Sequence, residues 1–492
     1  MSEHVDVLII GAGISGIGAA HHLKEAFPQR DFLILENRER VGGTWDLFKY
    51  PGIRSDSDML TLGFRFRPWT DEKIIADGAD IRQYVEDTAK DGGYFDRIRF
   101  GHKVISAEWS TEDNQWTVHA EHAGKPVTFT AQFVHSATGY YRYDEGFTPE
   151  FAGIKDFKGQ VIHPQFWPED LDYTGKKVVI IGSGATAITI VPSMADKAEH
   201  VTMLQRSPTY VMSLPQKDPV APYLSKVIGE NVSYKLSRWR NVLMSILIYQ
   251  YSQRAPKSAR KLIRNFNTKW LPEGYDVDTH FNPRYNPWDQ RMCLVPNGDL
   301  FRSIRQGKAS IVTDHIDSFT EKGIKLKSGE ELEADIVVTA TGLNLLPLGG
   351  MELSVDGERV DLSKSFAYKA MMLSGLPNMV FTVGYTNASW TLKADLVSDY
   401  FIRLVKHMDA NGYGKFEPVQ NDPSVTPVPL LDFAAGYVQR AIDVFPKAGS
   451  KAPWKLGASY LHDVATLRRS KIDDGIMRFS KAPARNKAAA AS

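Results

Sequence analysis

The stretch Gly11-Ala12-Gly13-Ile14-Ser15-Gly16 decides the fold of the first part of this 492-residue chain. It follows the β-branched run 5–10 and precedes small and apolar residues, a pattern that predicts a buried strand, a tight turn and a helix. A second predicted strand, 31–35, ends at Glu36. In such a βαβ unit the helix N-terminus binds a pyrophosphate and the acid binds a ribose hydroxyl group. The stretch therefore predicts a dinucleotide-binding domain rather than an empty glycine-rich turn.

A second turn of the same type, Gly182-Ser183-Gly184-Ala185-Thr186-Ala187, follows the predicted strand 177–181. The next predicted strand, 201–204, ends in Gln205-Arg206-Ser207 instead of an acid. A carboxylate there would repel a 2′-phosphate group, whereas an arginine and a hydroxyl group would bind it. We therefore predict FAD at the first site, and NADPH rather than NADH at the second. The alternative for Arg206 is a solvated surface arginine.

Two further strand-like segments end in Ala-Thr-Gly, at 137–139 and 340–342, on either side of the second unit. They are interpreted as crossings between two domains, so the NADPH domain is predicted to be inserted in the FAD domain. The predicted fold class is α/β, with two Rossmann-like dinucleotide-binding domains. The predicted boundaries are 1–140 for the first part of the FAD-binding domain, 141–340 for the NADPH-binding domain with a helical excursion at 207–287, and 341–492 for the second part of the FAD-binding domain with a disordered tail from about 482.

Composition and charge exclude several classes of protein. The 59 Lys and Arg residues balance 58 Asp and Glu residues, so no overall positive charge attracts nucleic acid. The single cysteine, Cys293, excludes an internal disulfide, a CxxC redox pair and a cysteine-rich metal site, and we predict no metal. The sequence shows no signal peptide and no apolar run of about 20 residues. A cytoplasmic protein is expected, and its oligomeric state is left open.

The segment 236–269 within the excursion mixes apolar residues such as Trp239 and Leu247 with many arginines and lysines. A helix of this composition can lie on an anionic membrane surface, which would place the protein peripherally at the inner face of the cell membrane. The alternative is a packed helical subdomain with a basic side facing solvent, and the sequence favours this interpretation.

Between the two turns lies a spaced pattern of five residues: Phe157, Gly159, His163, Trp167 and Pro168. This pattern resembles the signature of the class B flavoprotein monooxygenases of the Baeyer–Villiger type. The stretches 42–58, 285–291 and 385–391 are similar to the mycobacterial ethionamide-activating branch of that family. The segment 292–298 differs from that of the better-known cyclic-ketone enzymes, so the resemblance leaves the substrate open.

The resemblance implies an NADPH-dependent flavin monooxygenase whose substrates are a small ketone or sulfur compound and O2. One oxygen atom of O2 is inserted next to the ketone carbonyl through a C4a-peroxyflavin, and an ester or lactone is formed. Sulfides and thioamides are implied as further substrates. The alternative is a flavin-containing monooxygenase that oxidises nitrogen or sulfur without ketone insertion.

The resemblance also implies two sets of cofactor contacts. The FAD set consists of the turn residues Gly11, Gly13, Ser15 and Gly16, with Glu36, Thr44, Trp45, Asp46, Leu47, Asp56 and Val104. The NADP set consists of Arg54, Ser55, Asp56, Gly182, Ser183, Gly184, Ala185, Thr186, Ala187, Ile188, Arg206 and Ser207.

Arg291 occupies the position of the family's active-site arginine and is predicted to be catalytic, with Asp56 orienting its guanidinium. The oxygen-transferring species that attacks a carbonyl carbon is an anion, and a fixed guanidinium stabilises that charge. The alternatives are an ion pair that holds the excursion to the core for Arg291, and a loop cap for Asp56. His163 is predicted to hold the linker between the domains rather than to act as an acid or base.

Five aromatic residues are predicted to wall an apolar pocket, and about half of them are expected to belong to the ordinary core instead: Trp45, Phe64, Phe66, Trp69 and Trp390. A helix is predicted to begin near Leu392. Its N-terminus, if it is directed at a flavin, would stabilise the reduced anion.

Overall fold

The computed structural model describes residues 2–290, 292–431, 435–457 and 459–482. Arg291 and residues 483–492 of the predicted tail therefore lie outside the described residues. Among the helices that are described, none has both the length and the apolar composition needed to cross a bilayer.

The first Rossmann unit forms the parallel part of a large mixed sheet. In spatial order the parallel strands are Met379–Phe381, Lys125–Ser136, Glu3–Ile10, Phe32–Leu35 and Ile98–Arg99. Met379–Phe381 pairs only with the last residues of Lys125–Ser136. Along the earlier residues of that strand, on the side away from Glu3–Ile10, the sheet continues through Gln115–His122, His102–Ser110, Glu352–Val355 and Glu358–Arg359. Gln115–His122 is antiparallel to both of its neighbours, so one long strand joins the parallel and antiparallel parts.

The strand Glu3–Ile10, in the middle of the parallel part, is apolar on both faces because both faces are covered. Val7 and Ile9 pack into a cluster with residues of the helices Ile14–Ala26, Gly78–Asp91 and Trp390–Asn411, and Tyr460–Arg469 packs against the last of these. Leu8 and Ile10 point the other way, as the two-residue period of a strand requires, into a cluster that includes the fully buried Trp109 and Trp116.

The second Rossmann unit forms a separate sheet that is parallel throughout. Its strands, in spatial order, are Ala309–Thr313, His200–Gln205, Lys177–Ile181, Ile336–Thr339 and Gln160–Ile162. The helices Ala185–Met194 and Asp299–Arg305 pack against each other beside it. Because the chain leaves the first sheet after residue 136 and returns to it at 352, the predicted insertion of the second domain in the first is confirmed. The boundaries near 140 and 340 stay predictions.

The excursion is helical from residue 221 onward. Its helices are Ala221–Ile228, Glu230–Arg254, Pro256–Trp270 and Val277–Phe281. The first residues of the predicted range are not helical, because Val211–Leu214 is a strand that pairs in parallel with Cys293–Pro296. The long helix packs against the first domain: Arg238 is buried and donates hydrogen bonds to the carbonyl oxygens of Leu60, Thr61 and Gly63 at 2.7–3.0 Å.

The remaining elements are short. The helices are Thr44–Leu47, Met59–Leu62 and Gly436–Gln439, with 3₁₀ turns at Phe95–Arg97, Pro164–Phe166, Pro347–Gly350 and Leu362–Lys364. The paired strands are Tyr141–Gly146 with Leu343–Leu345, Ala367–Tyr368 with Met372–Leu373, Tyr413–Pro418 with Met477–Lys481, and Pro427–Pro429 with Lys447–Gly449. Ile316–Phe319, Gly323–Leu326 and Glu331–Glu333 form a small antiparallel sheet.

Candidate functional site

The two glycine-rich turns open on one cleft. The cleft has a volume of about 1530 Å³, and residues 11–15 and 182–186 both contribute to its lining. Pockets for a single small molecule are typically about 300–1,000 Å³, so this cleft has room for more than one ligand. Two dinucleotides bound at the two turns would therefore lie side by side in one cleft.

The first glycine of each turn packs in the same way. Gly11 has a φ of +104°, and a Cβ atom added there would lie 2.7 Å from the carbonyl oxygen of Ala137. Gly182 has a φ of +138°, and its Cβ would lie 2.3 Å from the carbonyl oxygen of Ala340. Each turn thus rests on one of the two Ala-Thr-Gly segments, and only glycine fits at either position. Gly16 packs its helix on the strand, since a Cβ there would lie 1.8 Å from the oxygen of Gly11.

The second glycine of each turn leaves space on the cleft side. A Cβ at Gly13 would have its nearest neighbour at 3.7 Å, and one at Gly184 would meet no atom within 4 Å. The helices that follow, Ile14–Ala26 and Ala185–Met194, have neither a side-chain cap nor an acid in the first turn. Their first N–H groups and positive dipole ends therefore fit phosphate groups.

Glu36 distinguishes the first turn. Its carboxylate accepts hydrogen bonds from the backbone N–H groups of Ala12, at 2.7 Å, and Arg38, at 2.9 Å. The side chain is almost fully buried but borders the cleft. Burial raises the pKa of Glu36, and the two backbone donors act against this shift. A carboxylate held in this way fits the ribose hydroxyl groups of an adenine dinucleotide.

Arg206 distinguishes the second turn. Its side chain is exposed at the cleft, and within the part of the chain that the structure describes its guanidinium has no hydrogen-bond or salt-bridge partner. Ser183 donates a hydrogen bond of 3.0 Å to the carbonyl oxygen of Ser207 and so fixes the segment that follows the strand. A free guanidinium at this position fits a 2′-phosphate group.

Arg54 lines the cleft between the two turns and is held by an acid that sequence reasoning missed. Its Nη1 atom lies 2.5 Å from Oδ2 of Asp299, at the start of the helix Asp299–Arg305. Its Nη2 atom is buried without a hydrogen-bond partner among the described residues. Asp56 also lines the cleft, and burial together with the nearby Asp56 carboxylate raises the pKa of Tyr50.

Tyr385 and Trp390 form an aromatic part of the lining, and polar partners hold both. The Nε1 atom of Trp390 donates a 2.7 Å hydrogen bond to the hydroxyl group of Ser15. The hydroxyl group of Tyr385 donates to Asp463 at 2.8 Å, and the ammonium group of Lys393 lies 2.7 Å from the same carboxylate oxygen. Lys393 and Asp463 are almost fully buried, and burial lowers the pKa of Lys393. Asp463 is separated from Tyr385 by 78 residues, so no local motif predicts the pair.

The signature residues between the turns lie outside the lining of the cleft. Phe157 and Trp167 belong to the apolar clusters of the second domain, and Gly159 packs against the carbonyl oxygen of Asp335, where a Cβ would lie at 2.3 Å. The Nε2 atom of His163 donates a 3.2 Å hydrogen bond to the carbonyl oxygen of Gly342. Burial lowers the pKa of His163.

Most of the predicted cofactor residues border the cleft, and several do not. Those that do are Gly11, Gly13, Ser15, Glu36, Thr44, Trp45, Arg54, Asp56, Val104, Gly182, Ser183, Gly184, Ala185, Thr186, Arg206 and Ser207. Those that lie behind it are Gly16, Asp46, Leu47, Ser55, Ala187 and Ile188. Asp46 is buried and forms ion pairs with Arg38, Arg40 and Lys49 instead.

Two of the five predicted wall residues, Trp45 and Trp390, border the cleft. The other three, Phe64, Phe66 and Trp69, pack into the main apolar cluster of the first domain, as was expected for about half of the set. The helix that was predicted near Leu392 begins at Trp390, beside the cleft. Arg291 lies outside the described residues, between the cleft-lining Gln290 and the buried Met292.

The chain is similar to known proteins over nearly its whole length. Residues 74–382 match the family described as flavin-binding monooxygenase-like, and residues 9–69 match the NAD(P)-binding Rossmann-like domain. The FAD-containing monooxygenase EthA of Mycobacterium tuberculosis (strain ATCC 25618 / H37Rv) is 56% identical over 485 residues, which are 98% of this chain and 99% of that protein.

Two solved structures share the fold at lower identity. Oxidized steroid monooxygenase bound to NADP is 22% identical with a TM-score of 0.75. The ε-caprolactone-bound structure of cyclohexanone monooxygenase in the Loose conformation is 19% identical with a TM-score of 0.73. Each alignment covers 97% of this chain and 100% of the other chain.

Proposed function

Because the chain belongs to the flavin-binding monooxygenase-like family, we propose that it is a Baeyer–Villiger monooxygenase that uses FAD, NADPH and O2 to convert ketones into esters or lactones. Family membership confirms the predicted class of enzyme, a flavin monooxygenase, and the predicted α/β fold with Rossmann-like domains. The proposal adds the type of oxygen insertion and the class of substrate.

The observation that supports this proposal most is that both dinucleotide turns open on one cleft. Glu36 borders the first turn and Arg206 the second, so the two ends of the cleft differ in charge. A carboxylate favours the ribose of FAD, and an unpaired guanidinium favours the additional phosphate of NADPH. The two nucleotides would then extend toward each other, and the hydride could pass from one to the other without either nucleotide leaving the cleft.

Bound FAD supplies the redox chemistry of this reaction, since a flavin reduced by NADPH can activate O2 for the transfer of one oxygen atom. The chain supplies binding, orientation and charge. Gly13 and Gly184 leave room for the two pyrophosphates, and Arg54, held by Asp299, is a fixed cation in the cleft. In this proposal Arg291 would stabilise the negative charge of the oxygen-transferring anion and, after attack, of the former carbonyl oxygen, and Asp56 would orient the guanidinium.

The lining near Trp390 favours an apolar substrate. Tyr385, Ala388 and Trp390 border the cleft next to Tyr140 and Tyr141, so aromatic and methyl groups dominate this end. A ketone with an aliphatic or cyclic apolar body would bury its carbon skeleton here. The same oxygen transfer would also act on the soft sulfur of sulfides and thioamides, which we include in the proposal as further substrates.

The proposal is tested with purified enzyme, NADPH and a panel of ketones and sulfides that includes 2-octanone. Ester formation is followed by gas chromatography, and hydrogen peroxide is measured in parallel to correct for NADPH consumption without oxygen transfer. Ester formation coupled to NADPH consumption is the expected result. Sulfoxide formation without any ester across the ketone panel would instead identify a flavin-containing monooxygenase that oxidises nitrogen or sulfur, and the Baeyer–Villiger assignment would be lost.

A further inference from the structure

The helical excursion differs in charge from the rest of the chain. Residues 221–270 contain ten lysines and arginines but a single acid, Glu230, whereas the whole chain has 59 basic and 58 acidic residues. Part of this positive charge is used inside the protein: Arg238 is buried against the first domain, and Arg264 pairs with Asp278. Six basic side chains remain exposed and form no salt bridge within the described residues: Lys226, Lys235, Arg254, Lys257, Lys261 and Lys269.

The same excursion exposes a continuous row of large apolar side chains. On the helix Glu230–Arg254 they are Val232, Leu236, Trp239, Leu243 and Leu247. Their spacing of three or four residues places them along one side of the helix, whereas the opposite side contributes Tyr234, Arg238 and Val242 to the protein interior. An apolar row with this spacing normally faces a protein core, yet Leu247 is 62% exposed.

Neighbouring helices enlarge this surface. Ala221–Ile228 packs against the long helix and exposes Tyr223 and Val227, and Pro256–Trp270 exposes Leu262 and Phe266. Among the described residues, 14 of the 21 exposed large apolar side chains lie between 220 and 266. Exposed apolar residues that are scattered singly need no explanation, but a cluster of this kind marks an interaction surface. The exposed apolar and basic side chains of residues 220–269 are called the basic apolar face below.

We infer that the basic apolar face binds peripherally to an anionic lipid surface. Leucine and valine side chains would enter the boundary between headgroups and acyl chains, and Trp239 suits the interface itself because its ring is apolar with one polar N–H group. The exposed lysines would lie at the level of the anionic headgroups, where each adds to the attraction. The chain thus has both signals that stable peripheral binding requires, apolar insertion and a basic cluster.

A second copy of this chain fits the same face less well. In a two-fold dimer the same patch is used on both subunits, so the positively charged patch of one subunit would face the same patch of the other. Like charges brought together across an interface are costly, and residues 221–270 contain a single acid, Glu230, with which to compensate. An anionic lipid surface is complementary both to the exposed lysines and to the apolar row.

The experiment is co-sedimentation of the full-length, FAD-loaded enzyme with vesicles at physiological salt. One set of vesicles is pure phosphatidylcholine, and the other also contains phosphatidylglycerol. The enzyme should pellet with the anionic vesicles and stay in the supernatant with the neutral ones. Raising the salt concentration should weaken binding, because it screens the attraction between lysines and headgroups.

Two sets of substitutions separate the two contributions. The charge set replaces three exposed lysines: Lys235→Gln, Lys257→Gln and Lys261→Gln. It should lower the vesicle partition coefficient about a hundredfold, since each basic residue near an anionic surface is worth roughly a factor of five. The apolar set, Leu236→Gln, Leu243→Gln and Leu247→Gln, should abolish binding, because headgroup attraction alone does not bury the helix.

Matched controls lie elsewhere on the surface. Lys155→Gln, Lys176→Gln and Lys322→Gln remove as many exposed lysines, and Val428→Gln with Val444→Gln replaces exposed apolar residues outside the excursion. Flavin absorbance and NADPH oxidation without vesicles report that each variant is folded. Failure of the wild-type enzyme to pellet with anionic vesicles would overturn the inference, as would variants that bind like the wild type. Sedimentation velocity that shows a dimer which the apolar set dissociates would assign the face to a second copy instead.

Discussion

Replacement of Arg206 by alanine is expected to remove the preference of the enzyme for NADPH over NADH. The guanidinium is exposed at the cleft and has no partner among the described residues, so its loss removes no packing and no internal ion pair. A hydrogen bond between charged groups contributes about 1.5–3 kcal/mol, and water at this exposed position favours the lower part of that range. A loss of about 2 kcal/mol corresponds to an increase of about 30-fold in the KM for NADPH.

Steady-state kinetics with one ketone and both nucleotides measure this effect. The KM for NADH should stay unchanged in Arg206→Ala, because NADH has no 2′-phosphate group for the arginine to bind. The wild-type preference should also shrink at high salt, whereas the variant should be insensitive. Arg142→Ala is the control, since Arg142 also borders the cleft but pairs with Asp144. If Arg206→Ala raised the KM for NADH as much as that for NADPH, the assignment of Arg206 to the 2′-phosphate would be refuted.

Three further predictions follow from charge and burial. Arg291→Ala should still consume NADPH but form ester about 10²–10³ times more slowly, and hydrogen peroxide should be released instead of ester. Unchanged ester output would contradict the catalytic role of Arg291. Asp463→Asn should lower the free energy of unfolding in urea by about 3–5 kcal/mol, because Lys393 is left buried without its counter-ion. Adding Lys393→Met should recover part of this loss of stability. No recovery would exclude the unpaired ammonium group as the cause. Burial lowers the pKa of His135 from 6.5 to about 4, so the unfolded chain gains a proton that the folded protein excludes. The free energy of unfolding should therefore fall by about 3 kcal/mol as the pH drops through this window, and a slope that His135→Gln leaves unchanged would count against it.

Local sequence patterns predicted the elements that form the two cofactor turns. The predicted strand 177–181 is the observed Lys177–Ile181, and the predicted strand 31–35 differs from Phe32–Leu35 by one residue. These elements are readable because each is an apolar run that ends at a glycine or at a polar residue with a specific task. The strand Val211–Leu214 was missed because it is defined by pairing with Cys293–Pro296, which lies about 80 residues further along the chain.

The same distinction holds for the candidate site. Glu36 and Arg206 were predicted because the fold places the end of each second strand beside its turn. Asp299 and Asp463 were missed because their partners, Arg54 and Tyr385, are remote in sequence, and no spacing rule joins them. Residues beside a dinucleotide turn can therefore be found from motifs, whereas acids that hold cleft residues from a remote part of the chain are found only when the chain is folded.

The signature residues around His163 can be explained by the way in which the two domains are joined. Each turn rests on an Ala-Thr-Gly segment, and these segments lead directly into the strands Tyr141–Gly146 and Leu343–Leu345, which pair with each other. His163 donates a hydrogen bond to Gly342 at the start of the second linker and stacks over Gly146 at the end of the first, where a Cβ would lie 2.2 Å from its ring. We therefore expect the separation of the two dinucleotide sites to depend on this short ribbon, which is itself part of the lining of the cleft. The predicted role of His163, to hold the linker between the domains, is in keeping with these contacts.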